Sequence, residues 1–133
     1  MRLLFFTLVT FQLAFGSIHW MDNYDQAVKK AKKLHKPLFV FIERVDPPCH
    51  WCHLMKTKTL QDPKIAAYID THFVAVKLSK KHSNYPMKLY PRYVPTIYVL
   101  SPQGRLLDRI IGYWSVNDFW SDLRDVERKL KEH

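Results

Sequence analysis

A chain of 133 residues that is 47% hydrophobic and 25% charged, with 3 Gly and 8 Pro, is too apolar for a disordered tail. It is also too charged for a multi-span membrane protein, and its length fits one domain. The net charge of +9 favours acidic partners or anionic surfaces, but no basic-aromatic recognition pattern accompanies it, so nucleic acid is not an expected partner.

The chain opens with Met1 and Arg2, then runs uncharged and mostly apolar from Leu3 to Phe15. That is the length of a signal-peptide core and short for a bilayer span. Ala14 and Gly16 put small residues before a cut at Ser17. The expected division is therefore a signal peptide at 1–16 and a domain at 17–133. Export follows, with a periplasm as the expected compartment and no stable membrane insertion once the signal is removed. An uncleaved N-terminal anchor is the alternative.

From Tyr24 to Leu34 the residues Ala27, Val28, Ala31 and Leu34 recur at helical spacing, with lysines between them. Asp22 or Asn23 can cap this helix, and Pro37 stops it. Leu38 to Ile42 is a continuous apolar run, as in a strand covered on both faces. Asp46, Pro47 and Pro48 break it, and a helix is expected from Trp51 to Leu60. Asp62 and Pro63 cap and start a second short helix through Ile69. Phe73 to Leu78 reads as a second strand, and the polar stretch from Ser79 to Tyr93 as a loop with one helical turn. Within it, Lys80, Lys81 and His82 read as solvated. Thr96 to Leu100 is a third strand, Ser101 to Gly104 a turn, and Arg105 to Ile111 a fourth strand closing a hairpin. Gly112 ends it. Ser115 caps a last helix, with Asp118 completing a capping-box variant and an apolar stripe through Phe119, Leu123, Val126 and Leu130. The pattern predicts an α/β layered fold. Trp114 and Trp120 read as core or interface fillers.

The chemistry concentrates at Cys49-His50-Trp51-Cys52, which holds both cysteines of the chain. A disulfide across so short a loop adds little chain-entropy stabilisation, which makes a structural staple a poor account. At the first turn of a helix, free backbone N–H groups and the helix dipole favour a thiolate at Cys49. Cys49 can then attack a partner's disulfide, and Cys52 can resolve the mixed disulfide. His50 and His53, if protonated, would favour the thiolate further. Cys49-His50-Trp51-Cys52-His53 is also a Cys-x-x-Cys-His haem-attachment string, with Met55 or Met87 as sixth-ligand candidates. Zinc is a further rival, but no second ligand cluster completes a tetrahedral set, so no metal is expected.

The strand–Cys-x-x-Cys–helix unit, the later Tyr93-Val94-Pro95-Thr96 and the hairpin with its final helix resemble the thioredoxin superfamily from Trp20 to Leu130. Trp20, Tyr24, Ala27 and the string Lys36-Pro37-Leu38 are similar to exported bacterial thioredoxin-like proteins. The resemblance implies a central mixed sheet flanked by helices, with a C-terminal hairpin and helix. It implies a cis bond before Pro95, which would lie against the cysteines, and backbone groups at Val94 offered to an extended substrate. It implies an exposed Trp51 flanking the substrate groove. The superfamily's buried acid, counted back from Cys49, falls on Glu43; counted forward from Pro37, the same position is Phe41. The His-Trp dipeptide differs from the Gly-Pro of reducing thioredoxins, so redox direction does not carry over.

The expectation is thus an exported thiol–disulfide oxidoreductase, acting on protein dithiols or disulfides and leaning to reduction. It would need no bound cofactor, would be recycled by a redox partner protein, and would act as a monomer. A thioredoxin-like module that only binds or chaperones is the alternative from a different class.

Overall fold

The computed structural model describes residues 17–132; the expected signal segment at 1–16 lies outside them. Helix α1 (Tyr24–Leu34) starts at Asn23, not Asp22, because the Asn23 side chain accepts the Gln26 N–H at 2.9 Å. His35 at φ 52° turns the chain out, and Tyr24, Ala27 and Ala31 face inward. Strand β1 (Leu38–Glu43) follows and is buried along its whole length. Helix α2 spans His50–Thr57 and α3 spans Pro63–His72, the latter capped by Asp62, which accepts from the N–H groups of Lys64 and Ile65.

Strands β2 (Val74–Ser79), β3 (Thr96–Leu100) and β4 (Leu106–Ile111) complete one sheet in the order β2-β1-β3-β4. β2 runs parallel to β1, while β3 and β4 are antiparallel, which is the mixed sheet the resemblance implied. The outer edge of β2 is covered by Met21, whose backbone bonds Ala75 and Lys77. The β3–β4 turn uses Gly104 at φ +89°, a conformation a side chain would disfavour. Helix α4 (Val116–Lys131) begins at Ser115, whose hydroxyl accepts from the Asp118 N–H.

Alternation along β1 divides the core into two layers. Phe39 and Phe41 enter a cluster with Met55, Ile69, Ile97, Val99, Phe119 and Leu123, under α2, α3 and α4. Leu38, Val40 and Ile42 face the opposite side, with Ala27 and Ala31 of α1 and Tyr98 of β3. Each fully buried Phe, Leu or Ile contributes roughly 1.5–3 kcal/mol through removal from water. β1, central and covered twice, therefore anchors the end from which the cysteine loop departs.

The helix expected from Trp51 to Leu60 stops at Thr57 instead, and a short 3-10 turn (Thr59–Gln61) follows. The cause is long-range: buried Thr59 donates its hydroxyl to the Trp114 carbonyl at 2.6 Å, tying the α2–α3 connection to the β4–α4 connection. Trp114 and Trp120 both pack against the core, and Trp120 meets Tyr68 edge-on at 5.4 Å. Far from the cysteines, α4 carries an acidic pair with β4. Asp108 is held by Lys129 at 3.1 Å, and Asp122 lies beside Asp108. Burial and then the Asp108 carboxyl push Asp122 up to about 7.

Candidate active site

Cys49 is the N-cap of α2, with extended backbone at φ −112°, and its carbonyl accepts the His53 N–H that opens the helix. Its sulfur accepts the Cys52 N–H at 3.2 Å, so an end-of-helix donor is already aimed at the position where a thiolate would sit. Cys49 and Cys52 are joined as a disulfide with Cα atoms 5.2 Å apart. Both cysteines are buried, though not equally. Cys49 retains 9% of its surface at the mouth of the site, whereas Cys52 retains 2% inside the helix.

The loop that delivers Cys49 is clamped by Arg44, whose guanidinium donates to the carbonyls of Pro47 and Pro48 at 2.9 and 3.3 Å. Across the site, Cys49 Sγ lies 4.0 Å from the Val94 carbonyl oxygen, so residues 45 apart in sequence share one corner. Pro95 is buried, Val94 is half-buried, and the bond between them is cis. Thr96 closes this bend by donating its hydroxyl to the Tyr93 carbonyl at 2.6 Å.

Trp51 is 54% exposed and stacks on Tyr113 at 5.8 Å, while His50 meets its edge at 5.1 Å. His50 and His53 are both exposed. Glu43, the last residue of β1, is buried on the sheet face that carries α2, and Lys56 Nζ of α2 lies 2.8 Å from its carboxylate. Lys56 stands one helical turn beyond Cys52, so the charge pair adjoins the buried sulfur's face of the helix. Phe41, the other position for the acid, is fully buried and paired with Lys77 and Ile97. Met55 belongs to the core, about 200° around α2 from exposed His53, and Met87 is exposed.

Four contacts escaped sequence reasoning: Lys56 beside Glu43, Tyr113 under Trp51, the Arg44 clamp, and the organisation of the loop after β2. In that loop Lys81 and His82 are exposed, as expected, but Lys80 is half-buried. Lys80 Nζ lies 5.1 Å above the Tyr90 ring, Tyr90 stacks with Tyr85 at 6.5 Å, and the Tyr85 hydroxyl donates to the Lys80 carbonyl. Burial, with Tyr90 and Tyr98 nearby, pushes Tyr85 up to about 12. The density of tyrosine between Tyr85 and Tyr98 was the available signal.

Comparison with known proteins places this geometry. The profile of the family described as a thioredoxin-like domain matches residues 24–127. Human spermatogenesis-associated protein 20 is 30% identical over 83 residues, which is 62% of this chain and 10% of that protein. The chain thus spans about a tenth of the length of the first curated relatives it matches. Among solved structures, a thioredoxin from Thermus thermophilus superposes with a TM-score of 0.70 at 23% identity, covering 83% of this chain and 87% of that one. A DsbH oxidoreductase superposes at 0.67 and 19% identity, covering 89% and 88%. These structures share the fold.

Proposed function

The chain belongs to the thioredoxin-like family, and from that premise we propose that it is an exported thiol–disulfide oxidoreductase that reduces protein disulfides through Cys49 and Cys52. The observation that carries the reading is the asymmetry of the pair. Cys49 caps a helix N-terminus, faces the Val94 carbonyl and keeps 9% of its surface, and Cys52 is shielded further within the same helix, at 2%.

In the reduced protein, the Cys49 thiolate attacks one sulfur of the substrate disulfide. A Cys49–substrate disulfide forms, and the other substrate sulfur leaves as a thiolate that takes a proton from water. Cys52, deprotonated, then attacks the Cys49 sulfur, which releases the second substrate thiolate and forms Cys49–Cys52. Two electrons pass from the dithiol to the substrate, and a redox partner protein must return two to begin again.

The supporting residues have distinct parts. The N–H groups at the start of α2, the Cys52 N–H among them, favour the thiolate form of Cys49 over the thiol. His50 and His53 add to this when protonated. Glu43, buried and 2.8 Å from Lys56, takes the place of the buried acid that the family resemblance implies before the first cysteine. Val94 supplies backbone groups for an extended substrate segment added as a strand, Pro95 keeps that surface free of a competing N–H, and Trp51 forms its wall. Residues 1–16 serve as the export signal, the domain occupies 17–133, and the periplasm is the working compartment. No bound cofactor enters the cycle, and one chain suffices for it.

The test is a trap. Reduced Cys52→Ala protein is mixed with a disulfide-bonded peptide, and adducts are mapped by mass spectrometry. Adducts at Cys49 should accumulate to near one per chain, while Cys49→Ala protein should yield few. Equal trapping by both variants, or by neither, contradicts the assignment.

A further inference from the structure

Beside the Val94–Pro95 bend lies a cavity of about 280 Å³ whose walls include Tyr93, Tyr98, Lys88, Arg92 and Arg109. Its floor is the α1 side of β3 and β4, at the end of the sheet that α1 does not cover. Arg92 lies 5.5 Å from the Tyr93 ring and Arg109 5.7 Å from the Tyr98 ring. Among the described residues, Lys88, Arg92 and Arg109 make no ion pair. The one acid adjacent in sequence, Asp108, is turned toward α4 and held by Lys129. No Asp or Glu occurs anywhere between Asp70 and Asp108.

We infer that this groove selects disulfide substrates carrying carboxylates close to the reacting cysteine, which deepens the thiol-exchange reading and rests on it. Three features argue for that occupant. The guanidinium groups are steadied by aromatic rings and not by carboxylates, so their planar donor forks are free for bidentate contact with a carboxylate. The cavity lacks any acid that would compete. It also begins at Tyr93 and Thr96, the neighbours of Val94–Pro95, within one or two residues of the carbonyl facing Cys49. An extended peptide advances about 3.3 Å per residue, so its side chains about two to four positions from the reacting cysteine reach the groove.

The test compares three peptides, each with one cysteine as a mixed disulfide to a coloured thiol leaving group. Glutamate, glutamine or lysine occupies the positions two to four residues on both sides of the cysteine. With the reduced full chain at low ionic strength, the glutamate peptide should react about tenfold faster in kcat/KM than the lysine peptide, and added salt should narrow the ratio. Arg92→Glu with Arg109→Glu should invert the ratio, and the milder Arg92→Gln with Arg109→Gln should bring it toward one. Lys29→Glu with Lys33→Glu, on the exposed face of α1, changes net charge equally and should leave the ratio unchanged. Equal rates for glutamate and lysine peptides overturn the inference. So does a preference that survives both arginine pairs, or one that the α1 pair removes, since either assigns it to the overall charge of the molecule. Failure of wild-type protein to reduce even a small uncharged disulfide contradicts the underlying thiol-exchange reading, and the two failures are thereby told apart.

Discussion

The two faces of the sheet are finished differently. One is roofed by α2, α3 and α4 over Phe39, Phe41, Ile97 and Val99, and from its rim the first turn of α2 presents Cys49. The other is covered by α1 near β1 and β2 and left, at β3 and β4, to a loop of tyrosines and cations. The roofed face fixes geometry: it sets a cysteine at a helix terminus beside packed strands, and sulfur exchange needs defined positions. The open face presents charge and aromatic area at half-exposed positions, which suits recognition of variable segments. Val94 and Pro95 sit where the two meet.

That division is broken most severely at the junction. Pro95→Thr restores a backbone N–H and adds a β-branched side chain next to Val94, whose carbonyl faces Cys49, so turnover of a disulfide peptide should fall about tenfold or more. The loss should appear in release of the mixed disulfide, read by single-turnover kinetics on protein shown by circular dichroism to be folded. Unchanged kinetics would mean that the junction takes no part in the chemistry.

Trp51→Ala tests the border from the roofed side. The indole is half-exposed and stacked on Tyr113, so its removal strips contact area without opening the core. Loss of an aromatic contact of about 0.5–1.5 kcal/mol corresponds to a roughly two- to tenfold rise in KM for a peptide substrate. Reduction of a small disulfide should be nearly unaffected, and equal losses on both substrates would show that Trp51 tunes the sulfur and not the groove.

The smallest effect belongs to the remote acidic pair, and it separates stability from chemistry. Asp122 is raised to about 7 in the folded protein, by burial and then by Asp108, from a usual value of 3.8. A folded pKa above the unfolded one means that the folded state binds the extra proton. Stability from this group is therefore complete below about 3.8 and is lost as pH rises to about 7. Asp122→Asn should remove that slope and stabilise the protein at pH 8 by on the order of 1 kcal/mol, since partial exposure and Lys129 reduce the full linkage. Urea melts at pH 4.5 and 8 measure it. Peptide exchange at pH 8 should not change.

The elements themselves were largely legible because their signals are local. Asp62-Pro63 starts α3, Ser115 caps α4, and Thr96 to Leu100 is a strand by composition and by observation alike. The break of α2 at Thr57 was not legible, because its cause is a hydrogen bond from Thr59 to a carbonyl 55 residues away. The site divides the same way. The cysteine spacing is written in four adjacent residues, whereas Lys56 beside Glu43, Tyr113 beneath Trp51 and Arg109 above Tyr98 exist only after β1, α2 and β4 are assembled. Lys80, which reads as solvated in sequence, turns out to lie over the Tyr90 ring, since periodicity cannot report a contact across a loop.

The central claim is that the two cysteines are chemically unlike because one ends a helix and the other lies within it. Reduced protein should be pulsed with iodoacetamide across pH 4 to 10, and the modified cysteine quantified by peptide mass. The account predicts that Cys49 reacts first, with a midpoint below the roughly 8.5 of a free thiol, while Cys52 stays largely protected. Equal labelling of both, or a Cys49 midpoint at or above 8.5, would contradict it.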